Sequence, residues 1–165
     1  MIVVVSVAGV IGIAIGWFLS YGADDYDIAL DRTMKDKLRE LPPLYDRAEK
    51  SIDIATDFDS KFFDAVEVKT AIGDAVARGV TVRLITECDP LEWNNNQSGI
   101  QIKRVGRLSR HIMVIDGKHF RLERPHTRSA FGDKKYDGAL IFKDFPVLAS
   151  RYSNEFGELW TKSSC

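Results

Sequence analysis

The first twenty residues, MIVVVSVAGVIGIAIGWFLS, contain no charged side chain. At 1.5 Å of rise per residue, about 20 helical residues span the roughly 30 Å hydrocarbon core of a bilayer, so this stretch reads as a transmembrane helix. A cleavable signal would carry a basic leading region and a shorter apolar core, and none of these twenty residues is Lys or Arg. Trp17 and Tyr21 stand near its C-terminal end, where amphipathic rings prefer the membrane interface. Ala8, Gly12, Gly16 and Ser20 recur every fourth residue and would form a small-residue stripe that lets another transmembrane helix approach closely. The plain alternative is that Gly and Ala are simply common in membrane helices. Arg32, Lys35, Lys37 and Arg39 follow the stretch and nothing basic precedes it, so the positive-inside rule predicts a single-pass membrane protein with a cytoplasmic domain. The two cysteines, Cys88 and Cys165, supply no disulfide framework, in keeping with a reducing compartment.

What remains of the 165 residues suffices for one globular domain with a core and not for two large ones. We expect a transmembrane helix over residues 1–21, a charged stalk or linker helix over 22–43 stopped by Pro42-Pro43, and the folded domain over 44–165. Within the domain, Ser51–Thr56 alternates as a strand. Val68, Ile72, Ala75 and Val76 then repeat at helical spacing, with Asp64 and Glu67 spaced as a capping box and Gly79 placed to end the helix. The apolar run over 80–85 reads as a buried strand, which completes a β-α-β unit and predicts a partly parallel sheet. A polar loop over 92–99 leads to a strand over 99–103. The apolar runs 112–115 and 120–122 flank Asp116-Gly117, the dipeptide of a tight hairpin turn. A last strand covers 138–142, and a final helix sets Leu148, Tyr152, Phe156, Leu159 and Trp160 on one core-facing stripe.

Charge is spread unevenly along this chain. Residues 103–135 hold ten Lys/Arg against three acids, a surplus of seven, while the whole chain sums to −1, so everything else carries −8. The three histidines, His111, His119 and His126, all fall in that basic stretch. Positive charge beside imidazoles suits a phosphate or phosphodiester, because Lys and Arg neutralise the anion and His can attack or move protons near neutral pH. The plain alternative is a solvated basic hairpin with surface histidines. His119 is expected at the surface, an Arg121–Glu123 contact would be ordinary surface pairing, and an Asp before Gly at a hairpin needs no catalytic role.

The order strand, helix ending in Arg78-Gly79-Val80, strand, polar loop, short strand, Asp-Gly hairpin and final helix ending in Phe156-x-x-Leu159-Trp160 resembles the phospholipase D superfamily. The resemblance runs from about residue 44 to 163 and covers one half-domain of that family. It implies an α/β sandwich half-domain with a mixed sheet, and a hairpin carrying His-x-Lys-x4-Asp followed by Gly-Ser-x-Asn. In the family the His forms a phospho-histidine, the Lys and Asn hold the phosphate, and a second His from a partner half acts as the acid. Anchored on Asp116-Gly117, the motif's His position is Ser109, its Lys position His111 and its Asp Asp116, while Gly-Ser-x-Asn becomes Glu123-Arg124-Pro125-His126. Only the Asp survives. The other register, with His111 as nucleophile, puts Met113 at the Lys position and Lys118 at the Asp position and forfeits the turn.

The resemblance therefore implies a pocket with Ser109, His111, Asp116 and His126 at catalytic positions and Arg110, Arg121, Glu123 and Arg124 as phosphate contacts. Ser109 and His111, two apart on a strand, are expected to face the same side. Two His and a carboxylate can surround a divalent metal, but no ligand spacing supports it, and neither metal nor cofactor is expected. A Ser109 nucleophile activated by His111 is a further route in principle. Single-motif members of the family pair as homodimers sharing a site, so the implied partners are the membrane through residues 1–21, a second copy or a larger membrane assembly, and nucleic acid or phospholipid headgroups. Two functions stay open: a non-catalytic scaffold or accessory subunit of a membrane assembly, and a phosphodiester-binding or phosphodiester-hydrolysing protein with an altered site around His111 and His126.

Overall fold

A computed structural model of the chain describes residues 27–31, 33–57, 60–87, 99–123 and 139–163. Its strands are β1 (Asp27–Asp31), β2 (Ser51–Thr56), β3 (Thr81–Glu87), β4 (Ile100–Val105), β5 (His111–Ile115), β6 (His119–Glu123) and β7 (Ala139–Lys143). Its helices are α1 (Met34–Arg47), α2 (Ser60–Phe63), α3 (Val66–Ala77) and α4 (Pro146–Lys162). The expected β-α-β unit is present: β2 and β3 pair in parallel, α3 is the crossover, and Gly79 at φ 88 ends it in the left-handed region that glycine adopts without strain. β4 joins β3 in parallel, and β5, β6, β7 and β1 continue antiparallel on the other side of β2, giving one mixed sheet in the order β1-β7-β6-β5-β2-β3-β4. Asp116 and Gly117 have φ of 55 and 66, and Lys118 N donates to Ile115 O at 3.0 Å, so two left-handed residues make the tight turn and Lys118 completes a three-residue loop between the paired Ile115 and His119.

Side-chain alternation divides the core into two layers. Ile52, Ile54, Met113, Ile115 and Ile141 face α1 and α3, whose Leu41, Leu44, Tyr45, Val68, Ile72 and Ala75 close that side. Ala55, Ile85, Ile112, Val114 and Phe120 face α4 through Ala149 and Phe156, with Tyr152, Leu159 and Trp160 packed beside them. Leu148, expected on that stripe, is 41% exposed on the flank of α4; Phe145, one turn before Ala149, packs in its stead.

Two other expectations change. Residues 22–43 are not a separate stalk where they are described: Asp27–Asp31 is a sheet strand paired along its length with β7, and the helix that follows continues through Pro42 and Pro43 to Arg47. Each internal proline costs about 3 kcal/mol by removing a donor and crowding the preceding turn. Burial of Leu41, Leu44 and Tyr45, at roughly 1.5–3 kcal/mol per large apolar side chain, offsets this. Arg78 adds to it by donating from Nη2 to the carbonyls of Tyr45 and Ala48 at the helix C-terminus. The capping box lies at Thr33 and Asp36, which exchange side-chain and backbone hydrogen bonds, not at Asp64 and Glu67. Asp64 pairs with Lys69 at 2.8 Å, and Ala65 caps α3 without a side-chain bond. Among the described residues no helix is long and apolar enough to cross a membrane, and residues 1–21 lie outside them.

Candidate functional site

His111 opens β5, and the antiparallel register sets it directly opposite Glu123, the last residue of β6, with Arg121 opposite Met113. The β2–β5 pairing, Ala55 with Ile112, brings Thr56 and Asp57 at the carboxyl end of β2 alongside. Ligands of open α/β sheets are received at such strand ends. Lys37 stands four residues before Leu41 on the buried stripe of α1 and reaches into the same space, and Phe62 and Phe63 of α2 close it.

The polar groups there neutralise one another. Arg121 Nη1 donates to Glu123 Oε2 at 2.7 Å, and Lys37 Nζ lies 3.9 Å from Glu123 Oε1. His111 Nδ1 is 3.6 Å from Glu123 Oε2, and its Nε2 is 3.8 Å from Asp57 Oδ1. Lys37, His111, Arg121 and Glu123 are all buried, His111 to 2% exposure. Burial pushes the Glu123 carboxyl up, but His111 and the charges of Arg121 and Lys37 outweigh it and hold the group at about 2, against an ordinary 4.5. Two fixed cations thus meet two carboxylates, with the imidazole between the carboxylates. Among the described residues the cavity beside them has a volume of about 20 Å³, room for one water molecule. Such an arrangement can orient a water or pass a proton between His111 and a carboxylate. It offers no surplus positive charge to a phosphate.

Several expected site residues stand elsewhere. Ser109 lies before β5, in a bend, exposed and outside the cavity, because the strand starts only at His111; the two do not share a strand face. Arg110 is half-exposed and pairs with Glu155 of α4 at 3.3 Å, on the opposite side of the sheet. The Arg121–Glu123 contact exists but is buried under α1, not a surface pair. His119 is partly buried rather than at the surface, and its Nδ1 accepts from Asp144 N at 3.1 Å. Burial lowers the His119 pKa, against the opposing pull of Asp144 and Asp116. Arg124 and His126 fall outside the described residues.

Asp116, of the turn dipeptide, has a structural task. Its carboxylate accepts backbone N–H bonds from Glu49, Lys50 and Ser51 at 2.9, 2.7 and 2.9 Å, tying the hairpin turn to the start of β2. Burial raises its pKa, but these three donors, together with His119, bring it below the ordinary value. A second pair, with its carboxylate buried, has no signal in the sequence: the partly exposed Arg83 forks onto buried Asp53 with two 2.7 Å bonds. The same guanidinium lies over the Phe156 and Trp160 rings at 5.0 and 5.6 Å, and Lys103 donates to Trp160 O at 2.8 Å, so this cluster seats the end of α4. The site residues missed in the sequence are Lys37, Asp57, Phe62 and Phe63. Lys37 carried a signal, a charge at i of the apolar i, i+4, i+7, i+8 series Leu41, Leu44, Tyr45.

A mixed sheet between helices, with a parallel β-α-β unit beside an Asp-Gly hairpin and a closing C-terminal helix, is the phospholipase D-type fold. The chain matches Nuc, a phospholipase D family member from Salmonella typhimurium, at 14% identity and TM-score 0.59, over 85% of this chain and 97% of that one. NucT from Helicobacter pylori matches at 16% identity and TM-score 0.61, over 84% and 98%. TrmBL2, an archaeal chromatin protein with a novel mode of DNA binding, matches at 13% identity and TM-score 0.63, over 95% of this chain, which spans 60% of its length. No protein-family profile and no curated protein matches the chain in sequence. At these identities the likeness is one of fold.

Proposed function

We propose that this protein is a phospholipase D-like domain that has left the phospho-histidine reaction, tethered to a membrane by residues 1–21 and serving as a non-catalytic scaffold or accessory subunit of a membrane assembly. The observation that carries this reading is the fate of the two strand positions of the motif. The nucleophile position is Ser109, exposed and outside the cavity, and the phosphate-holding Lys position is His111, buried between Glu123 and Asp57. A charge-neutral cluster beside a cavity of about 20 Å³ does the work of a polar core. The uncharged N-terminal stretch and the basic residues that follow it support a single-pass anchor with the domain in the cytoplasm.

The second reading, a phosphodiester-binding or phosphodiester-hydrolysing site around His111 and His126, is favoured by the His111–Glu123 contact, since a carboxylate beside an imidazole is how a general base is oriented. In that case nucleic acid or a phospholipid headgroup is the ligand. The full chain in nonionic detergent, assayed on single-stranded DNA, RNA and phosphatidylcholine, decides between the two. We expect turnover no higher than that of His111→Ala and His126→Ala. Turnover that both substitutions abolish, or binding that weakens steeply with salt and depends on His111, refutes the scaffold reading.

A further inference from the structure

Among the described residues α4 packs chiefly on β2, β5 and β6, Phe145 just before it meets Phe142 of β7, and the rest of the β7–β1 edge carries exposed aliphatic side chains on that side. The register places Ile28 opposite Phe142, which stacks on Phe120 at 4.5 Å, so Ile28 shares the face that α4 covers further along. Leu140 stands opposite Leu122 on the same face. Leu148 sits on the flank of α4 that it shares with Tyr152, whose ring meets Phe120 of β6, and so borders the same exposed area. Ile28, Leu140 and Leu148 are 52%, 44% and 41% exposed. The other face of this edge is finished differently: Lys143 pairs with Asp27 at 2.6 Å and Glu40 at 3.1 Å, a polar closure under α1. One face of the β7–β1 edge therefore ends in ion pairs and the other in bare aliphatic side chains.

We infer that this aliphatic face rests on the interfacial layer of the bilayer that residues 1–21 enter. The inference builds on the anchor reading above. β1 is the first described strand, and only the five residues 22–26 separate it from the proposed anchor, residues 1–21. Five residues reach at most about 18 Å even when fully extended, so the β1 edge is held close to the membrane while other parts of the domain are free of that constraint. The residues around this edge also define the chemistry of the contact. Asp24 and Asp25 lie just before it in sequence and Lys143 at this edge is matched by Asp27 and Glu40, so the edge has no surplus positive charge to attract anionic headgroups. The contact is therefore apolar, needs no anionic lipid and resists salt.

Site-directed quenching tests this with the full chain. In a Cys88→Ser, Cys165→Ser background, Leu140→Cys, Leu148→Cys and, as a control on the far side of the sheet, Glu67→Cys in α3 are each labelled with an environment-sensitive fluorophore. Leu140 and Leu148 are already exposed, so these changes cost little core. The protein is reconstituted in phosphatidylcholine vesicles containing a headgroup-nitroxide lipid. We expect the labels at 140 and 148 to lose most of their emission, equally at low and high salt, while the label at 67 keeps its own. Equal quenching at all three positions, or none at 140 and 148 in protein that resists carbonate extraction, overturns the proposal while leaving the anchor intact. Energy transfer between labels at 140 on different chains, with no lipid quenching, shows that a second copy covers the face, and also overturns it. Release of the protein by carbonate removes the anchor, and the proposal with it.

Discussion

The charge-neutral cluster around His111 makes Glu123→Gln an informative substitution. The Glu123 carboxyl is held at about 2 against an ordinary 4.5. With one pKa unit equal to about 1.4 kcal/mol, its ionisation contributes on the order of 3 kcal/mol to stability. The folded value lies below the unfolded one, so this contribution is complete above about pH 4.5 and is lost as pH falls toward 2. Glutamine keeps the shape and removes the charge, leaving Lys37 and Arg121 buried without it, and breaking a buried pair in this way costs about 3–5 kcal/mol. Urea unfolding of the full chain in nonionic detergent, followed by tryptophan fluorescence, reads the effect directly. At pH 7 the variant should be less stable by that amount, and the gap should narrow by pH 3, because below about pH 4.5 the unfolded wild-type chain takes up a proton at residue 123 that the variant cannot bind. Adding Lys37→Met should restore part of the loss by removing the stranded cation. A gap below about 1 kcal/mol at pH 7, within the range of an exposed ion pair, or pH profiles that run parallel, would show that the cluster is not held by its charge.

Three further outcomes follow from the same structure. Asp116→Ala should cost about 2–4 kcal/mol, from three lost carboxylate–amide bonds, two of them at exposed amides, and an alanine at φ 55, whereas Asp116→Asn, which tolerates that backbone and still accepts, should cost about half as much; both are read as shifts in thermal midpoint. Arg83→Met leaves the Asp53 carboxylate buried without its fork and should destabilise by about 3–5 kcal/mol, with loss of the near-ultraviolet circular dichroism of Trp160 as α4 loosens. Ser109→His combined with His111→Lys rewrites the motif, yet should show no phosphodiesterase activity in a chromogenic diester assay, since residue 109 stands outside the cavity; measurable turnover would contradict that placement.

Elements marked by local punctuation were legible before the structure. The Asp116-Gly117 turn, the glycine stop at Gly79 and the alternating runs around them led to the hairpin, the parallel pair and the mixed sheet, because a left-handed turn residue or a period of two acts within a few residues of itself. The candidate site was only half legible. His111 and Glu123 were named from the hairpin, but Lys37 and Asp57, which complete the cluster, come from a helix and a strand end far away in sequence. Arg121 and Glu123 read as a surface pair because nothing in β6 announces that α1 will lie across it.

The amino-acid sequence by itself determined the uncharged N-terminal stretch, the hairpin, the crossover and the absence of a His-x-Lys-x4-Asp motif from the hairpin, all of which depend on residue identity and near spacing. Only the tertiary structure decided that β1 is an edge strand, that α1 runs through two prolines, that Asp116 is a tie and that Lys37, His111, Arg121 and Glu123 form a buried cluster whose charge Asp57 completes to neutral. Each of these rests on the burial and pairing that a distant segment supplies, which can override local propensity and leaves no mark within the segment itself.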